Sequence, residues 1–210
     1  MHRPTVWGIA CLIVLSWSAQ GWGEEIRLKG GAKFSGTMFE RNADAVIIGI
    51  SRDAVESVDG RPLPPPIAPG TPAPAFTVVD VSGAAQSLEA SRGHVTLIQF
   101  WATWCPHCRS DLSLMKELAA RYQSAGLRIL AVSIDRDPDA LKKFLGEHPL
   151  PYPVISMLTA PELPERYEAQ GVPTYILIDA AGMIVKTWSG SVTERASDFQ
   201  DVLSHTLAAA

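Results

Sequence analysis

The sequence predicts a mixed α/β domain in which helices cover both faces of one sheet, preceded by a small antiparallel β module. From residue 76 onward, short apolar runs alternate with segments of helical periodicity. The nearly continuous apolar run at 127–134 is typical of a strand buried on both faces. Two further apolar runs, 172–179 and 183–188, flank a glycine-containing turn and indicate a hairpin. Together these elements imply a mixed sheet between helical layers.

The first 23 residues have the order of a secretory signal. His2 and Arg3 precede an apolar run at 6–17, which gives way to small and polar residues at 18–23. The apolar run is well short of the roughly 20 residues that span a bilayer. We therefore expect export to the periplasm or cell envelope with cleavage of the signal, and an uncleaved signal that tethers the protein to the membrane is the alternative.

Residues 24–59 and 60–74 differ sharply in composition. In the first segment, apolar and polar residues alternate with a period of two between turn residues, which predicts a small antiparallel meander. Its pattern resembles SH3- or Sm-like β modules. The second is dense in proline, which excludes helix and sheet and predicts a semi-stiff linker. The α/β domain is then predicted to span residues 75–210.

The elements of this domain follow from periodicity and from end signals. Its predicted strands are residues 76–81, 95–102, 127–134, 152–156, 172–179 and 183–188, and its first three helices are residues 106–124, 137–147 and 161–169. Gly126 stands where a left-handed residue closes the first of these helices. Thr193 is predicted to cap a last helix, in which Phe199 and Leu203 lie on the buried stripe.

Composition excludes several classes of function. The chain has 22 Asp plus Glu against 18 Lys plus Arg, so a nucleic-acid partner is disfavoured. Of the three cysteines, Cys11 lies inside the predicted signal, which leaves only Cys105 and Cys108. Two cysteines three positions apart cannot form a framework of structural bridges, and they are too few for a structural zinc site. We expect no metal and no cofactor other than a redox-active disulfide between Cys105 and Cys108.

The run Trp104-Cys105-Pro106-His107-Cys108 has the spacing of a working dithiol. At the start of a helix, unpaired backbone N–H groups and the helix dipole favour a thiolate at Cys105. Cys108 then lies one turn further, within disulfide reach, and Pro106 suits the first helical position. A protonated His107 would favour the Cys105 thiolate further, and the alternative is a solvated side chain without electrostatic effect.

Residues 95–108, together with Gly171-Val172-Pro173-Thr174 further on, resemble the thioredoxin fold. More narrowly, the resemblance is to the exported TlpA- and ResA-like thiol–disulfide oxidoreductases, and it covers about residues 69–207. It implies a cis bond between Val172 and Pro173, in a loop that faces the two cysteines and pairs with an extended substrate segment.

The resemblance also assigns environments to three side chains near the dithiol. Trp104 is expected to shield the rim of the site, and Trp101 is expected in the core. Many cytoplasmic thioredoxins carry a buried acid at the position of Gln99, and an amide cannot accept the proton of the buried thiol. Proton transfer at Cys108 must then use water or another group.

The function implied is exchange of a Cys105–Cys108 disulfide with exported proteins that carry thiols or disulfides. Apocytochrome c maturation and envelope redox homeostasis are the roles considered, with a membrane electron-transfer partner. One alternative is a peroxiredoxin-type peroxidase, but Ala102 and Ile98 stand where its Thr and Pro are required. Another is a Sco-like copper chaperone, whose cysteines are one residue further apart.

The direction of electron flow stays open at this point. The family resemblance favours reduction of exported disulfides, whereas His107 between the cysteines favours an oxidising centre.

Overall fold

The computed structural model describes residues 66–210 continuously and, before them, the backbone of five short strands. These are β1 (Gly23–Arg27), β2 (Lys33–Arg41), β3 (Val46–Gly49), β4 (Ser57–Val58) and β5 (Arg61–Pro62). The predicted signal, apart from Gly23, lies outside the described residues. The chain divides into two compact units, Met1–Pro64 and Pro65–Ala210.

The first unit contains the predicted antiparallel β module. β2 pairs with β1 and β3 in a three-stranded antiparallel sheet, and β4 pairs with β5 in a separate antiparallel ribbon. The likeness to SH3 or Sm modules stays a prediction, as do the predicted boundaries of the β module and the linker. The expectation that residues 60–74 form no sheet is wrong: β5 lies inside this segment, in a two-stranded ribbon where proline is tolerated, and Pro72 forms an isolated β-bridge with Met183.

The second unit is built on one five-stranded sheet with helices on both faces. The sheet contains β8 (Val95–Trp101), β9 (Leu127–Ser133), β10 (Val154–Ser156), β11 (Thr174–Ile178) and β12 (Ile184–Ser189), and a separate hairpin contains β6 (Thr77–Val79) and β7 (Ala85–Ser87). The helices of this unit are α1 (Pro106–Tyr122), α2 (Pro138–Glu147), α3 (Leu163–Arg166) and α4 (Ala196–Ala208). Within residues 66–210, no helix is long and apolar enough to cross a membrane.

The sheet has the strand order β10-β9-β8-β11-β12 and is mixed, which confirms the predicted fold class. β8, β9 and β10 run parallel, β11 runs antiparallel to β8, and β12 runs antiparallel to β11. One face packs against α1, α2 and α4, and the other against α3 and the β6–β7 hairpin. Every residue of β8 is buried, because this central strand is covered on both sides.

The register brings two distant segments to the same end of the sheet. β8 ends at Trp101, and α1 begins five residues later at Pro106, so the cysteine motif follows the carboxyl end of the central strand. Thr174 of β11 pairs with Phe100 of β8, which places Pro173 beside that same end. The two cysteines and the proline loop therefore lie at the same end of the sheet, although some sixty residues separate them in the chain.

The structure corrects two local predictions and adds one strand. α3 is shorter than predicted, because the chain leaves the helix at Tyr167 and Glu168 has a left-handed φ of 51°. Thr193 does not cap the last helix: it begins a 3₁₀ turn, α4 starts at Ala196, and the Thr193 hydroxyl instead donates to Asp111 at 2.6 Å. β7 was not predicted, since its short polar sequence carries no apolar alternation. Gly126 has the predicted left-handed conformation, with φ of 91°, but it closes a 3₁₀ turn at Gln123–Ala125 that follows α1, not α1 itself.

Candidate active site

The two cysteines form a disulfide at the N-terminus of α1, and their Cα atoms are 5.2 Å apart. Cys105 is the N-cap residue in an extended conformation, and the backbone N–H of Cys108 donates to its sulfur at 3.2 Å. Such a donor stabilises negative charge on sulfur when the bond is reduced. The two sulfur-bearing residues differ in access, since Cys105 is 5% exposed and Cys108 is fully buried.

The proline loop faces the dithiol as the resemblance implies. The Val172–Pro173 peptide bond is cis, and the carbonyl oxygen of Val172 lies 3.7 Å from the sulfur of Cys105. Pro173 is buried and Val172 is half-buried. The Thr174 hydroxyl donates to the carbonyl of Gly171 at 2.7 Å, which braces the loop against the start of β11.

The rim of the site is formed by exposed residues on either side of Cys105. Trp104 is 65% exposed, and Pro106 and His107 are also exposed. Trp101 is fully buried in the core, as predicted. Trp104 forms one wall of an open groove of about 600 Å³, called here the Trp104 groove. Its lining includes Thr103, Trp104, Arg136, Met157, Pro164 and Ala169.

Asp111 is a buried carboxylate that sequence reasoning missed. It lies one turn after Cys108 on α1, fully buried, and accepts hydrogen bonds from three side chains and two backbone N–H groups. The donors are the Tyr175 hydroxyl at 2.7 Å, the Ser191 hydroxyl at 2.6 Å, the Thr193 hydroxyl at 2.6 Å, the Val192 N–H at 3.1 Å and the Thr193 N–H at 3.2 Å.

These donors keep Asp111 ionised. Burial opposes ionisation, but the hydrogen bonds from Ser191, Thr193 and Tyr175 outweigh it, so the pKa of Asp111 lies below its usual range. Burial raises the pKa of Tyr175, and the hydrogen bond to Asp111 raises it further, so this hydroxyl stays a donor. A fixed negative charge therefore lies within one helical turn of Cys108.

Gln99 takes part in the same buried network without carrying charge. Its Nε2 donates to the Tyr175 hydroxyl at 3.3 Å, and its Oε1 has no hydrogen-bond partner among the described residues. Gln99 is fully buried in β8, so a neutral amide occupies the position at which many cytoplasmic thioredoxins carry a buried acid. The acid near Cys108 is instead supplied by Asp111 of α1, which is held from β11 and from the turn before α4.

A second buried carboxylate, Asp135, lies behind the loop that precedes Cys105. It follows β9 and is 2% exposed. It accepts from the N–H of Thr103 at 3.0 Å and from the Thr103 hydroxyl at 2.6 Å. The Ser133 hydroxyl donates at 2.7 Å to Oδ2, the oxygen that also accepts from the Thr103 N–H. The segment that precedes Cys105 is thus linked by hydrogen bonds to the end of a core strand.

The family model described as Redoxin matches residues 68–203. The chain belongs to the redoxin family. Several relatives named thiol-disulfide oxidoreductase ResA support the same assignment. The one from Geobacillus thermodenitrificans is 30% identical over 139 residues, which is 66% of this chain and 76% of the relative. The one from Bacillus subtilis is 29% identical over 128 residues, 61% of this chain and 71% of the relative.

Solved structures similar to this redoxin carry the same class of name. A thiol:disulfide interchange protein of the thioredoxin family from Chlorobium tepidum superposes with a TM-score of 0.59 and 28% identity, covering 67% of this chain and 98% of that one. The thioredoxin domain of a thiol-disulfide oxidoreductase from Bacteroides vulgatus superposes with a TM-score of 0.56 and 27% identity, covering 64% of this chain and 98% of that one. This redoxin is a thiol–disulfide oxidoreductase, and the predicted thioredoxin-like fold is confirmed.

The individual roles assigned to residues of this redoxin stay predictions. The structure brings together Cys105, Cys108, Val172 and Pro173, with Trp104 on the rim. Between residues 66 and 210, no three His, Cys, Asp or Glu side chains are grouped closely enough to hold a metal ion. The expectation that no cofactor is needed stays a prediction.

Proposed function

We propose that this redoxin reduces disulfides of exported proteins, with Cys105 as the attacking thiolate and Cys108 as the resolving thiol. The observation that carries the proposal is the unequal access of the two cysteines beside the proline loop. Only Cys105 reaches the surface, and its sulfur is the one that faces the carbonyl of Val172. An incoming disulfide would therefore meet Cys105 first.

The reaction proceeds in two exchanges that balance in atoms and electrons. The Cys105 thiolate attacks one sulfur of the substrate disulfide, which forms a mixed disulfide and releases one substrate thiolate. Cys108 then loses its proton and attacks the Cys105 sulfur, which closes the Cys105–Cys108 bond and releases the second substrate thiolate. The substrate gains two electrons, and both of its sulfurs take up protons from solvent.

The helix start supports the first exchange, and the proline loop supports docking. The Cys108 N–H directed at the Cys105 sulfur would stabilise the thiolate that attacks. The backbone of Val172 and Pro173 would pair with an extended substrate segment, with Trp104 and Pro106 forming the adjacent rim. His107, exposed in the first turn of α1, would add positive charge when protonated.

Asp111 supports reduction rather than oxidation as the net direction. A strong oxidant stabilises its reduced form, because a stabilised thiolate is a good leaving group. The ionised Asp111, buried and within one turn of Cys108, disfavours additional negative charge there. That repulsion favours the disulfide over the dithiol and makes the dithiol more reducing.

Export and the identity of the partners belong to the same proposal. The basic and apolar start of the chain supports delivery to the cell envelope, where apocytochromes c and other exported proteins carry the disulfides to be reduced. A membrane electron donor would restore the dithiol after each turnover. The peroxidase and copper-chaperone alternatives are not favoured, since the relatives that this chain matches are named as thiol-disulfide oxidoreductases.

The deciding experiment measures the reduction potential of the Cys105–Cys108 pair in equilibrium with glutathione. A potential of about −270 mV is expected for a reductant, and a potential of about −120 mV would reverse the proposed direction of electron transfer. As a matched pair, Cys108→Ser should accumulate a mixed disulfide with an oxidised peptide, and Cys105→Ser should not. Equal trapping by both variants would contradict the assignment of Cys105 as the attacking residue.

A further inference from the structure

We infer that Asp135 is a positioning residue that acts through Thr103 to hold Cys105 and Trp104 in place for polypeptide substrates. The inference rests on the proposed attack by Cys105. It adds a residue that touches neither sulfur and that the cysteine motif does not contain.

The loop between β8 and α1 is short and has few anchors. Thr103 is its middle residue, two positions before Cys105. Within residues 66–210, the only side-chain hydrogen bonds to the loop residues 102–104 come from Asp135. Because both the N–H and the hydroxyl of Thr103 bond to one carboxylate, the backbone and the χ1 rotamer of this residue are fixed together.

Asp135 is itself held rigidly. The Ser133 hydroxyl donates to Oδ2 at 2.7 Å and accepts from the Asp135 N–H at 3.1 Å. Ser133 is the last residue of β9, which pairs with Trp101 at the end of β8. No Lys, Arg or His of residues 66–210 lies within ion-pair distance of the carboxylate. Within this range, its side-chain oxygens accept only from Thr103 and Ser133, so its orientation is set by these two residues.

The loop that Asp135 holds leads directly to the sulfur-bearing Cys105, and it also contains Trp104, which forms one wall of the Trp104 groove. Trp104 projects from the loop, and Met157 and Ala169 line the groove with it. Ala169 precedes Val172 by three residues in the loop that faces the Cys105 sulfur. A side chain next to the cysteine of a polypeptide substrate would enter this groove while the sulfurs exchange. A small disulfide has no such side chain and depends only on access to the Cys105 sulfur.

The test compares two substitutions at Thr103. Thr103→Val keeps the shape and removes the hydroxyl bond to Asp135, whereas Thr103→Ser keeps that bond. The substrates are a synthetic peptide disulfide with leucine beside its cysteine, and 2-hydroxyethyl disulfide. We expect Thr103→Val to raise KM for the peptide roughly tenfold, since small displacements at a reacting centre have large kinetic effects. The rate of Thr103→Val with 2-hydroxyethyl disulfide should change far less than its KM for the peptide, and Thr103→Ser should raise the peptide KM less than Thr103→Val does.

Asp135→Asn provides an independent variant. Its amide NH₂ would face donors that now meet a carboxylate oxygen, so the peptide KM should rise as in Thr103→Val. An unchanged peptide KM in both folded variants would overturn the inference. So would an equal slowing with both disulfides accompanied by a shifted pH profile of Cys105 alkylation, because the effect would then lie in the thiolate. Failure of the proposed function is recognised separately, as exchange that persists in Cys105→Ser.

Discussion

The two faces of the central sheet tolerate buried polar groups to different degrees. The face covered by α1, α2 and α4 contains the Cys105–Cys108 disulfide and the ionised Asp111. It also holds three buried polar atoms without a partner among the described residues: Gln99 Oε1, Trp101 Nε1 and Tyr152 OH. The opposite face, covered by α3 and the β6–β7 hairpin, has one such atom, the Thr96 hydroxyl, among residues 66–210. Polar groups that reduce stability are thus concentrated on the face that holds the chemistry.

The largest expected effect is that of Asp111→Ala on the α1 face. It leaves the Tyr175, Ser191 and Thr193 hydroxyls and two N–H groups without their acceptor, so the free energy of unfolding should fall by about 4 kcal/mol. Loss of the negative charge should also make the reduction potential of the dithiol less negative. Urea unfolding and glutathione equilibration measure the two effects. A potential that does not change would contradict an electrostatic role for Asp111.

Acid should remove part of the same stabilisation. The pKa of Asp111 is lowered in the folded protein, so its contribution is complete above the unfolded value of about 3.9 and is lost as the pH falls through the lower folded value. The difference in stability between the original protein and Asp111→Asn should be constant above about pH 5 and shrink below about pH 4. A difference that stays constant down to pH 2 would refute the lowered pKa.

Leu130→Ala tests the opposite face with a purely apolar change. Leu130 of β9 is 3% exposed and packs in the cluster with Ile98 and Phe100. The substitution should reduce the free energy of unfolding by about 3 kcal/mol through lost burial and a cavity. The reduction potential should not change, because no charge near the dithiol is altered. A shifted potential would show that the two faces are coupled through packing.

Two buried tyrosines form a matched pair across the sheet. Tyr175 donates to Asp111 on the α1 face, and Tyr167 donates to the carbonyl of Pro74 at 2.6 Å on the other. Each change to Phe should reduce the free energy of unfolding by about 1 kcal/mol. Only Tyr175→Phe should shift the reduction potential, since it alone alters the surroundings of Asp111. Equal shifts in both variants would remove the distinction between the faces.

Gln99→Leu should have the smallest effect on stability. The change removes the unpartnered Oε1, which favours the folded state, and also removes the hydrogen bond from Nε2 to Tyr175, which opposes it. The free energy of unfolding should therefore change by less than about 1 kcal/mol. A loss of several kcal/mol in thermal or urea unfolding would indicate that Gln99 has a further partner.

Elements with strong periodicity were predicted closely from the sequence. The predicted segments 95–102, 106–124 and 127–134 correspond to β8, α1 and β9 within two residues at each end. A long apolar strand and a capped amphipathic helix are decided by local sequence, so they need no information from elsewhere in the chain. The position of Cys105 at the N-cap follows from the same local signals.

The carboxylate partners could not be predicted, because they are set by long-range contacts. Thr103 and Asp135 are 32 residues apart, and Asp111 and Ser191 are 80 residues apart. The local capping rule predicts Thr193 as a helix cap, but its hydroxyl donates to Asp111 instead. One signal for Asp111 was present: an acid lies on the same stripe of α1 as the buried Cys108 and Met115. A charge on an otherwise apolar stripe indicates a buried partner.

The segment that precedes β6 also protects an edge of the sheet. Gly70 donates to the carbonyl of Ile184, Ile184 donates to the carbonyl of Thr71, and Ala73 donates to the carbonyl of Gly182. These bonds cover the start of β12, an edge strand whose open backbone groups would otherwise be available to another chain. A shortened protein that begins at Ala75 should retain the dithiol but aggregate more readily.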